Sequence, residues 1–355
     1  MSTVSENLLL GAAGGATGYN GYVLLSSDTH VSNNYPVVLP FSTVAGFGAA
    51  IYPSSAPGNS VNGAVFTKDK QAIIGCYDSS PYIFAYPWTG SAWGTRYANI
   101  GSVGSSSVLD IDVNPSSTFI CYAESKSFPT VYSWNSATGF GSRTRDAVNL
   151  VANCQANILN KAGTLAFFAM SGVPYIKVFP VTSSSIGSPL SNPASALPSG
   201  GTGLDISPTD SVIAITTGLT PFIHAYAWSN STGFGTKYSN PATLPPAGAD
   251  DCAFNPTGTA IAVTYSVGGV DKGLKVYPWS DSTGFGTPYS DPSAQAPIFR
   301  NRIKFSPDGR ALLVVGDSSP YVIAYNWSDV SGFGAAYSSP SITAVPVNDV
   351  DFLPQ

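Results

Sequence analysis

"WSDSTGFGTPYSDP" at residues 279–292 decides the fold, because two close copies of it occur elsewhere in the chain. The copies are "WSNSTGFGTKYSNP" at 228–241 and "WSDVSGFGAAYSSP" at 327–340. A phrase that returns at a nearly fixed spacing indicates a repeated structural unit, so internal repeats are the first property to establish.

The Gly-Phe-Gly core of this phrase marks seven repeats. Its central positions lie 46 to 51 residues apart and together cover nearly the whole chain of 355 residues. They are Phe47, Trp93, Phe140, Ile186, Phe234, Phe285 and Phe333. In two of the copies, another apolar residue replaces the phenylalanine.

Each repeat has the same internal order. A short strand leads into a turn such as "FSPDG" (305–309), and an apolar run such as "ALLVVGD" (311–317) follows. A third, alternating strand such as "YVIAYNW" (321–327) comes before the Gly-Phe-Gly phrase, and a short polar strand comes after it. Four antiparallel strands per repeat, seven times and without helical periodicity, predict an all-β, seven-bladed β-propeller.

The two chain ends complete one another. The C-terminal segment resembles a first strand without a second, whereas the N-terminal part supplies a second and a third strand without a first. We therefore expect a single propeller domain over 21–355, whose closing blade combines 22–52 with 347–354. Closure of this kind removes the exposed sheet edges of an open ring. Residues 1–20 form an N-terminal extension that could anchor the domain.

Packing explains the repeated phrase better than ligand binding does. Glycine on each side of the phenylalanine permits a tight turn, and a tryptophan five or six residues earlier closes the third strand. Phe41 and Val181 replace this tryptophan in two repeats. Replacement by another apolar residue is tolerated at a packing position. Function is therefore expected in loops that differ between repeats, because binding residues concentrate on variable loops held by a rigid scaffold.

The variable loops join second to third strands and fourth to first strands, on one face of the disc. Their polar and charged side chains form the predicted binding set, which has no catalytic member. These candidates are His30, Asn33, Asn34, Tyr35, Arg143, Arg145, Asp271, Lys272, Arg300 and Arg302.

Composition argues against several classes of protein. The net charge is −5 and the basic residues are scattered, which argues against nucleic-acid binding. Only two histidines are present, so histidine-based triads and histidine-rich metal sites are nearly excluded. The four widely spaced cysteines predict buried free thiols. We expect no cofactor, no signal peptide and no membrane insertion.

Seven aspartates lie in or just before the first strands, which should line the central channel of a propeller. They are Asp110, Asp112, Asp205, Asp250, Asp251, Asp349 and Asp351. Such carboxylates could hold a hard cation such as Ca²⁺, with Asp110, Asp112, Asp349 and Asp351 as its ligands, or they could supply an acid and a base. The simpler interpretation is the polar lining of a water-filled channel, with Arg300 and Arg302 balancing its charge.

The turns "FSPDG" and "FNPTG", each with a tryptophan-closed strand, resemble WD40-like propeller repeats. The Gly-His and Trp-Asp pairs typical of WD40 proteins are absent. The phrase "WSNSTGFGTKYSNPATLP" (228–245) resembles repeat proteins of tailed bacteriophages, notably marine ones. This resemblance implies a virion-associated protein that is not an enzyme.

The function implied by the resemblance is a non-enzymatic virion module of the tail or a fibre. Its variable loops would contact other virion proteins and a host surface glycan or protein. Two alternatives stay open at this point. One is a capsid decoration or tail scaffold protein, and the other is a polysaccharide-cleaving enzyme that uses the channel aspartates.

Overall fold

The computed structural model describes residues 20–27, 35–100, 107–124, 129–145, 152–267, 271–293 and 302–353. Strands, turns and irregular segments make up these ranges. They contain no helix that is long and apolar enough to cross a bilayer. The predicted N-terminal extension lies outside the described residues, apart from Asn20.

The described ranges form short strands that follow one another at the spacing of the repeats. In chain order they are β1 (Asn20–Ser26), β2 (Val37–Ser42), β3 (Gly46–Phe47), β4 (Val61–Phe66), β5 (Ala72–Tyr77), β6 (Ile83–Pro87), β7 (Val108–Val113), β8 (Phe119–Glu124), β9 (Pro129–Asn135), β10 (Gly139–Arg145), β11 (Cys154–Leu159), β12 (Leu165–Met170), β13 (Ile176–Thr182), β14 (Ser185–Ile186), β15 (Gly201–Ile206), β16 (Val212–Thr217), β17 (Ile223–Ser229), β18 (Gly233–Lys237), β19 (Ala249–Phe254), β20 (Ala260–Val267), β21 (Asp271–Ser280), β22 (Gly284–Phe285), β23 (Arg302–Phe305), β24 (Ala311–Val315), β25 (Val322–Ser328), β26 (Gly332–Ala336) and β27 (Asp349–Phe352).

These strands form seven antiparallel blades, which confirms the predicted seven-bladed propeller. Blade 1 has the order β27-β1-β2-β3, blade 2 contains β4 to β6, and blades 3 to 7 take four strands each in sequence from β7 to β26. In blade 2, a bridge between Trp88 and Trp93 stands in place of the fourth strand.

The ring is closed by the two ends of the chain, as predicted. Strand β27 pairs antiparallel with β1, so that Phe352 lies opposite Val23 and Val350 lies opposite Leu25. The C-terminal strand is thus the innermost strand of a blade whose other strands come from the N-terminal part of the chain. This pairing satisfies backbone groups that an open ring would leave at a sheet edge.

The core lies between neighbouring blades. The second strands β5, β12 and β16 are buried along their whole length, because both of their faces pack against another blade. One apolar cluster joins Leu313 and Val322 of blade 7 to Val23 and Leu39 of blade 1. Each such side chain contributes about 1.5–3 kcal/mol when it is fully buried. Apolar packing between blades therefore supplies most of the stability of the ring.

The repeated phrase closes the end of its own blade. The rings of Trp279 and Phe285 meet edge to face with centroids 4.9 Å apart, and Trp327 and Phe333 repeat this contact at 5.2 Å. The turn between the two strands needs a positive φ at Gly284, which is +77°. A side chain is disfavoured in that conformation, which explains why glycine recurs there.

The same phrase also fastens its blade to the next one. The ring of Tyr289, at the end of blade 6, meets Trp327 of blade 7 with centroids 5.0 Å apart. Its hydroxyl donates a hydrogen bond to the backbone oxygen of Asp329, at 2.6 Å. Tyr238 makes the equivalent contacts with Trp279 and Asp281. The phrase is therefore a structural lock between blades.

Asp329 adds side-chain hydrogen bonds to this lock between blades 6 and 7. Its carboxylate accepts hydrogen bonds from Nε1 of Trp327 at 2.7 Å, Oγ1 of Thr259 at 2.8 Å and Nδ2 of Asn255 at 2.9 Å. Thr259 and Asn255 belong to the first-to-second turn of blade 6. The third-to-fourth turn of blade 7 is thereby held against that turn, so both kinds of turn lie on one face of the disc.

Candidate functional site

A cavity of about 900 Å³ occupies the central channel. Its wall consists of the innermost strands of the blades. Its mouth is formed by first-to-second turns, which contribute Pro115, Pro208 and Pro256 as well as Lys68 and Lys161. The cavity therefore extends to the face that carries the short, repeated turns, which is not the face predicted for binding.

Equivalent positions of the seven innermost strands form two stacked layers in the channel. The inner layer lies further from the mouth and comprises, in blade order, Asp349, Gly63, Asp110, Ala156, Gly203, Asp251 and Arg302. The outer layer lies two residues further along each strand and comprises Asp351, Val65, Asp112, Ile158, Asp205, Ala253 and Lys304. Each layer thus contains three aspartates and one cation, and both cations come from blade 7.

The six aspartates of these layers share one contact. Each carboxylate accepts a hydrogen bond at Oδ2 from a backbone N–H of the following blade. The pairs are Asp110 with Asn157, Asp112 with Leu159, Asp205 with Phe254, Asp251 with Ile303, Asp349 with Ala64 and Asp351 with Phe66. Hydrogen bonds to a charged acceptor are stronger than neutral ones, so the aspartates help to hold neighbouring blades together.

Arg302 crosses the channel. Its Nη2 donates a hydrogen bond to the backbone oxygen of Gln155 in blade 4, at 3.1 Å, although Arg302 itself belongs to blade 7. Its Nη1 lies 3.6 Å from Oδ1 of Asp251. Burial disfavours the charged form, but the carboxylates of Asp251 and Asp110 outweigh burial and raise the pKa of Arg302. The guanidinium is therefore a permanent positive charge at the inner layer.

Lys304 is the cation of the outer layer. Its Nζ donates a hydrogen bond to Oδ1 of Asp351 at 2.6 Å, which joins blade 7 to blade 1. Burial acts against both charges, yet the attraction between the two groups raises the pKa of Lys304 and lowers that of Asp351. Both groups are consequently charged at neutral pH.

Asp349 differs from the other channel aspartates. Burial, followed by the negative charge of Asp110, raises the pKa of Asp349 to about 7. Its Oδ2 accepts the inter-blade hydrogen bond from Ala64, but no hydrogen bond from the described residues reaches Oδ1. Asp349 lines the cavity together with Arg302. It is therefore a carboxyl group that can both take and give a proton near neutral pH.

Burial also raises the pKa of other channel carboxyls. The pKa of Asp205 is raised to about 7, although two backbone N–H groups act in the opposite direction. The pKa of Asp251 is raised to about 6, because burial outweighs the attraction of Arg302. Both oxygens of Asp205 accept backbone hydrogen bonds, from Ile206 and Phe254. Asp205 therefore has no free oxygen to offer to a substrate.

The structure brings together only part of the predicted binding set. Arg302 lies in the channel with the aspartates. Tyr35 is buried and its hydroxyl donates to the backbone oxygen of Thr343, while Arg143 forms an ion pair with Glu124 at 3.0 Å. The polar groups of both side chains therefore bind neighbouring residues of the protein.

The remaining members of the predicted set cannot be placed at a site. His30, Asn33, Asn34 and Arg300 lie outside the described residues. Arg145, Asp271 and Lys272 belong to strands β10 and β21, whose side chains at these positions are not described. Sequence reasoning did not single out Lys304, Lys68 or Gln155. Counting from the turn that follows each first strand would have found the two lysines, but not the cross-channel contact of Gln155.

The predicted Ca²⁺ ligands Asp110, Asp112, Asp349 and Asp351 serve the inter-blade bonds described above. Across the described ranges, no group of three or more His, Cys, Asp or Glu side chains is arranged to hold a metal ion. The four cysteines are buried free thiols.

Comparison of the sequence with family models gave no match, and no curated protein matches it either. Comparison of the structure with solved structures gave many matches. A protein from Bacteroides uniformis assigned as a 6-phosphogluconolactonase shares 14% identity at a TM-score of 0.74, over 94% of this chain and 99% of its own. A Bacteroides fragilis protein with the same assignment shares 11% identity at a TM-score of 0.73, over 94% and 98%.

The periplasmic gluconolactonase of Pseudomonas aeruginosa is a further similar structure. It shares 13% identity with this chain at a TM-score of 0.71, over 95% of this chain and 99% of its own. These likenesses establish a common seven-bladed fold. The names of the three structures are those of enzymes, and nothing in them indicates a bacteriophage origin. They contradict the expectation of a non-enzymatic virion module, so both the virion function and the prediction that the chain is not an enzyme are wrong.

Proposed function

We propose that the chain is a hydrolase of the lactonase type and that the central cavity is its active site. The observation that carries the proposal is Asp349, a half-buried carboxyl of the cavity lining with a pKa of about 7, whose Oδ1 accepts no hydrogen bond from the described residues. The names of the similar structures support the same reaction, the opening of a cyclic ester by water. Each of them shares less than 25% identity with this chain, so the residues of the cavity must carry the argument.

Ring opening needs a base, stabilisation of developing negative charge, and an acid. Oδ1 of ionised Asp349 accepts a proton from a water molecule, and the water oxygen bonds to the carbonyl carbon of the lactone. The π electrons of the carbonyl group move to its oxygen. When the intermediate collapses, the C=O bond re-forms and the bond from that carbon to the ring oxygen breaks. The ring oxygen takes the proton from Asp349, which yields a hydroxy acid and the ionised carboxylate.

Arg302 supplies the positive charge for this reaction. A guanidinium has five N–H donors, and the described hydrogen bond to Gln155 uses only one of them. Donors therefore remain for the carbonyl oxygen, on which negative charge develops in the transition state. Removal of one such donor commonly costs a factor of about 10²–10³ in kcat.

The experiment is an assay of acid release from gluconolactone, corrected for spontaneous hydrolysis. We expect the wild-type protein to accelerate hydrolysis and Asp349→Asn to lose about 10²–10⁴-fold in kcat, which is the range for loss of a general base. Asp112→Asn is the matched control, because both oxygens of Asp112 accept backbone hydrogen bonds, from Val113 and Leu159. It should keep most of the activity. Equal losses in both variants would assign the aspartates to stability alone.

A further inference from the structure

The cations of the two channel layers, Arg302 and Lys304, are already paired with carboxylates of the protein. Lys304 is paired with Asp351 at 2.6 Å. Lys68, at the mouth, is among the charges that lower the pKa of Asp351. Nζ of Lys161 donates a hydrogen bond to the backbone oxygen of Pro208. The channel presents six aspartates against these four cations, so its described lining has no excess of formal positive charge to balance an additional anion.

The positive charge of Arg302 is balanced by several carboxylates. The carboxylates of Asp251, Asp110 and Asp349 all favour its charged form. Burial is the first cause that raises the pKa of each of these carboxyl groups, which shows that the inner layer penalises a desolvated negative charge. A phosphate group would bring up to two charges into this field. Burying an unbalanced charge is costly, so such a ligand would be rejected.

We propose that the cavity binds uncharged lactones and discriminates against lactones that carry a phosphate or carboxylate group. The choice of a lactone rests on the proposed function, but the selection by charge rests on the pairing of Arg302 and Lys304. The hydrolysis reaction itself adds no negative charge to the site. As water gives its proton to Asp349, negative charge passes from that carboxylate to the carbonyl oxygen, and the total charge of the site is unchanged.

Release of the product follows from the same electrostatics. The hydroxy acid loses its proton at neutral pH and becomes a carboxylate beside the channel aspartates. The ionised Asp349 and Asp110 repel it, and the carboxylates paired with Arg302 and Lys304 weaken its attraction to those two cations. The site should therefore bind its neutral substrate more tightly than its anionic product.

Titration calorimetry on the full chain tests the selection without any turnover. Gluconolactam is an uncharged, non-hydrolysable analogue, and phosphogluconate and gluconate are anionic probes. We expect gluconolactam to bind at least about tenfold more tightly than either anion, a difference of about 1.4 kcal/mol. Equal or tighter binding of phosphogluconate would overturn the proposal, and so would a failure of gluconolactam to bind.

A pair of isosteric variants tests the cause. Asp351→Asn removes the partner of Lys304 and leaves an exposed ammonium, so affinity for phosphogluconate should increase several-fold. Asp112→Asn removes one charge from the same layer without releasing a cation, so its increase should be smaller. Equal increases would contradict the role assigned to the Lys304–Asp351 pair. If Asp351→Asn does not fold, as judged by circular dichroism, the wild-type titrations still decide the proposal.

The two proposals fail in different ways. If gluconolactam binds selectively but no lactone is hydrolysed, the catalytic assignment fails and the selection by charge stands. If a phosphorylated lactone is hydrolysed as efficiently as gluconolactone, the selection by charge fails and the catalytic assignment stands.

Discussion

Asp110 and Asp349 occupy the inner layer of the channel on either side of Gly63. A Cβ atom at Gly63 would lie 3.1 Å from Oδ2 of Asp349, so only glycine leaves this place free. After burial, the charge of Asp110 is the largest contribution to the raised pKa of Asp349. The absence of a side chain at Gly63 therefore couples two carboxyl groups from blades that are not neighbours.

The substitution Asp110→Asn should shift the pH–rate profile of lactone hydrolysis to lower pH. Removal of the neighbouring negative charge makes ionisation of Asp349 easier, so the base is present at a lower pH. The profile of kcat/KM against pH measures this shift. An unchanged profile would show that Asp110 does not influence the catalytic base.

The substitution Gly63→Ala should lower kcat/KM by roughly tenfold, because a small displacement of a catalytic group is costly. The new methyl group would press on Oδ2 of Asp349 and move the carboxyl from its place. Gly218→Ala is the control, since a Cβ atom there would meet nothing within 4 Å. If both variants keep full activity while remaining folded, the position of Asp349 is less critical than proposed.

His224 should make the protein sensitive to acid. Its Nε2 lies 3.2 Å from Oγ1 of Thr217, and its Nδ1 is buried without a partner among the described atoms. Burial, followed by the charge of Lys237, lowers the pKa of His224 from 6.5 to about 4. A folded-state pKa below that of the unfolded chain means that this stability is present above pH 6.5 and is lost as the pH falls toward 4.

The variant His224→Phe isolates this effect, because Phe84 occupies the equivalent position in blade 2. At about 1.4 kcal/mol per pKa unit, the shift is worth about 3 kcal/mol in total. Urea unfolding at several pH values should show the wild type losing up to this amount relative to the variant between pH 6.5 and 4. Asp205, Asp251 and Asp349 have raised pKa values and act in the opposite direction, so the difference between the two proteins is the quantity to compare. Parallel curves would contradict the prediction.

The variant Asp329→Ala should destabilise the ring by about 2–4 kcal/mol, since it leaves several hydrogen-bond donors without their charged acceptor. These donors include Nε1 of Trp327 and Nδ2 of Asn255. Asp291→Ala removes only a surface ion pair with Lys275 and should cost less than about 1 kcal/mol. Equal unfolding free energies for the two variants would show that the lock between blades contributes little.

The fold could be predicted from the sequence because it is encoded locally, once in each repeat. The glycine turns and alternating strands recur seven times, so an irregular copy such as the one around Trp93 does not obscure the pattern. The half-repeats at the two ends predicted the closing blade because each lacked what the other supplied.

The site could be predicted only in part. Paired aspartates such as Asp110 and Asp112 indicated a polar channel from spacing alone. The contact between Arg302 and Gln155 could not be predicted, because it joins blades far apart in the chain and depends on the diameter of the ring. The open Oδ1 of Asp349 likewise depends on how neighbouring blades are stacked.

The error about function has a physical cause. The phrase that carried the bacteriophage resemblance includes Trp228, Phe234 and Tyr238, and the structure assigns these rings to packing within and between blades. A packing motif reflects how the blades of the propeller are held together. It carries no information about the residues that line the channel.

The pH dependence of gluconolactone hydrolysis by wild-type protein and Asp349→Asn tests the central claim most directly. We predict that the wild-type rate, above spontaneous hydrolysis, rises with pH through about 7 as Asp349 ionises, and that this rise is absent in the variant. A wild-type protein without acceleration at any pH, or a variant that retains both the rate and its pH dependence, would exclude Asp349 as the catalytic base.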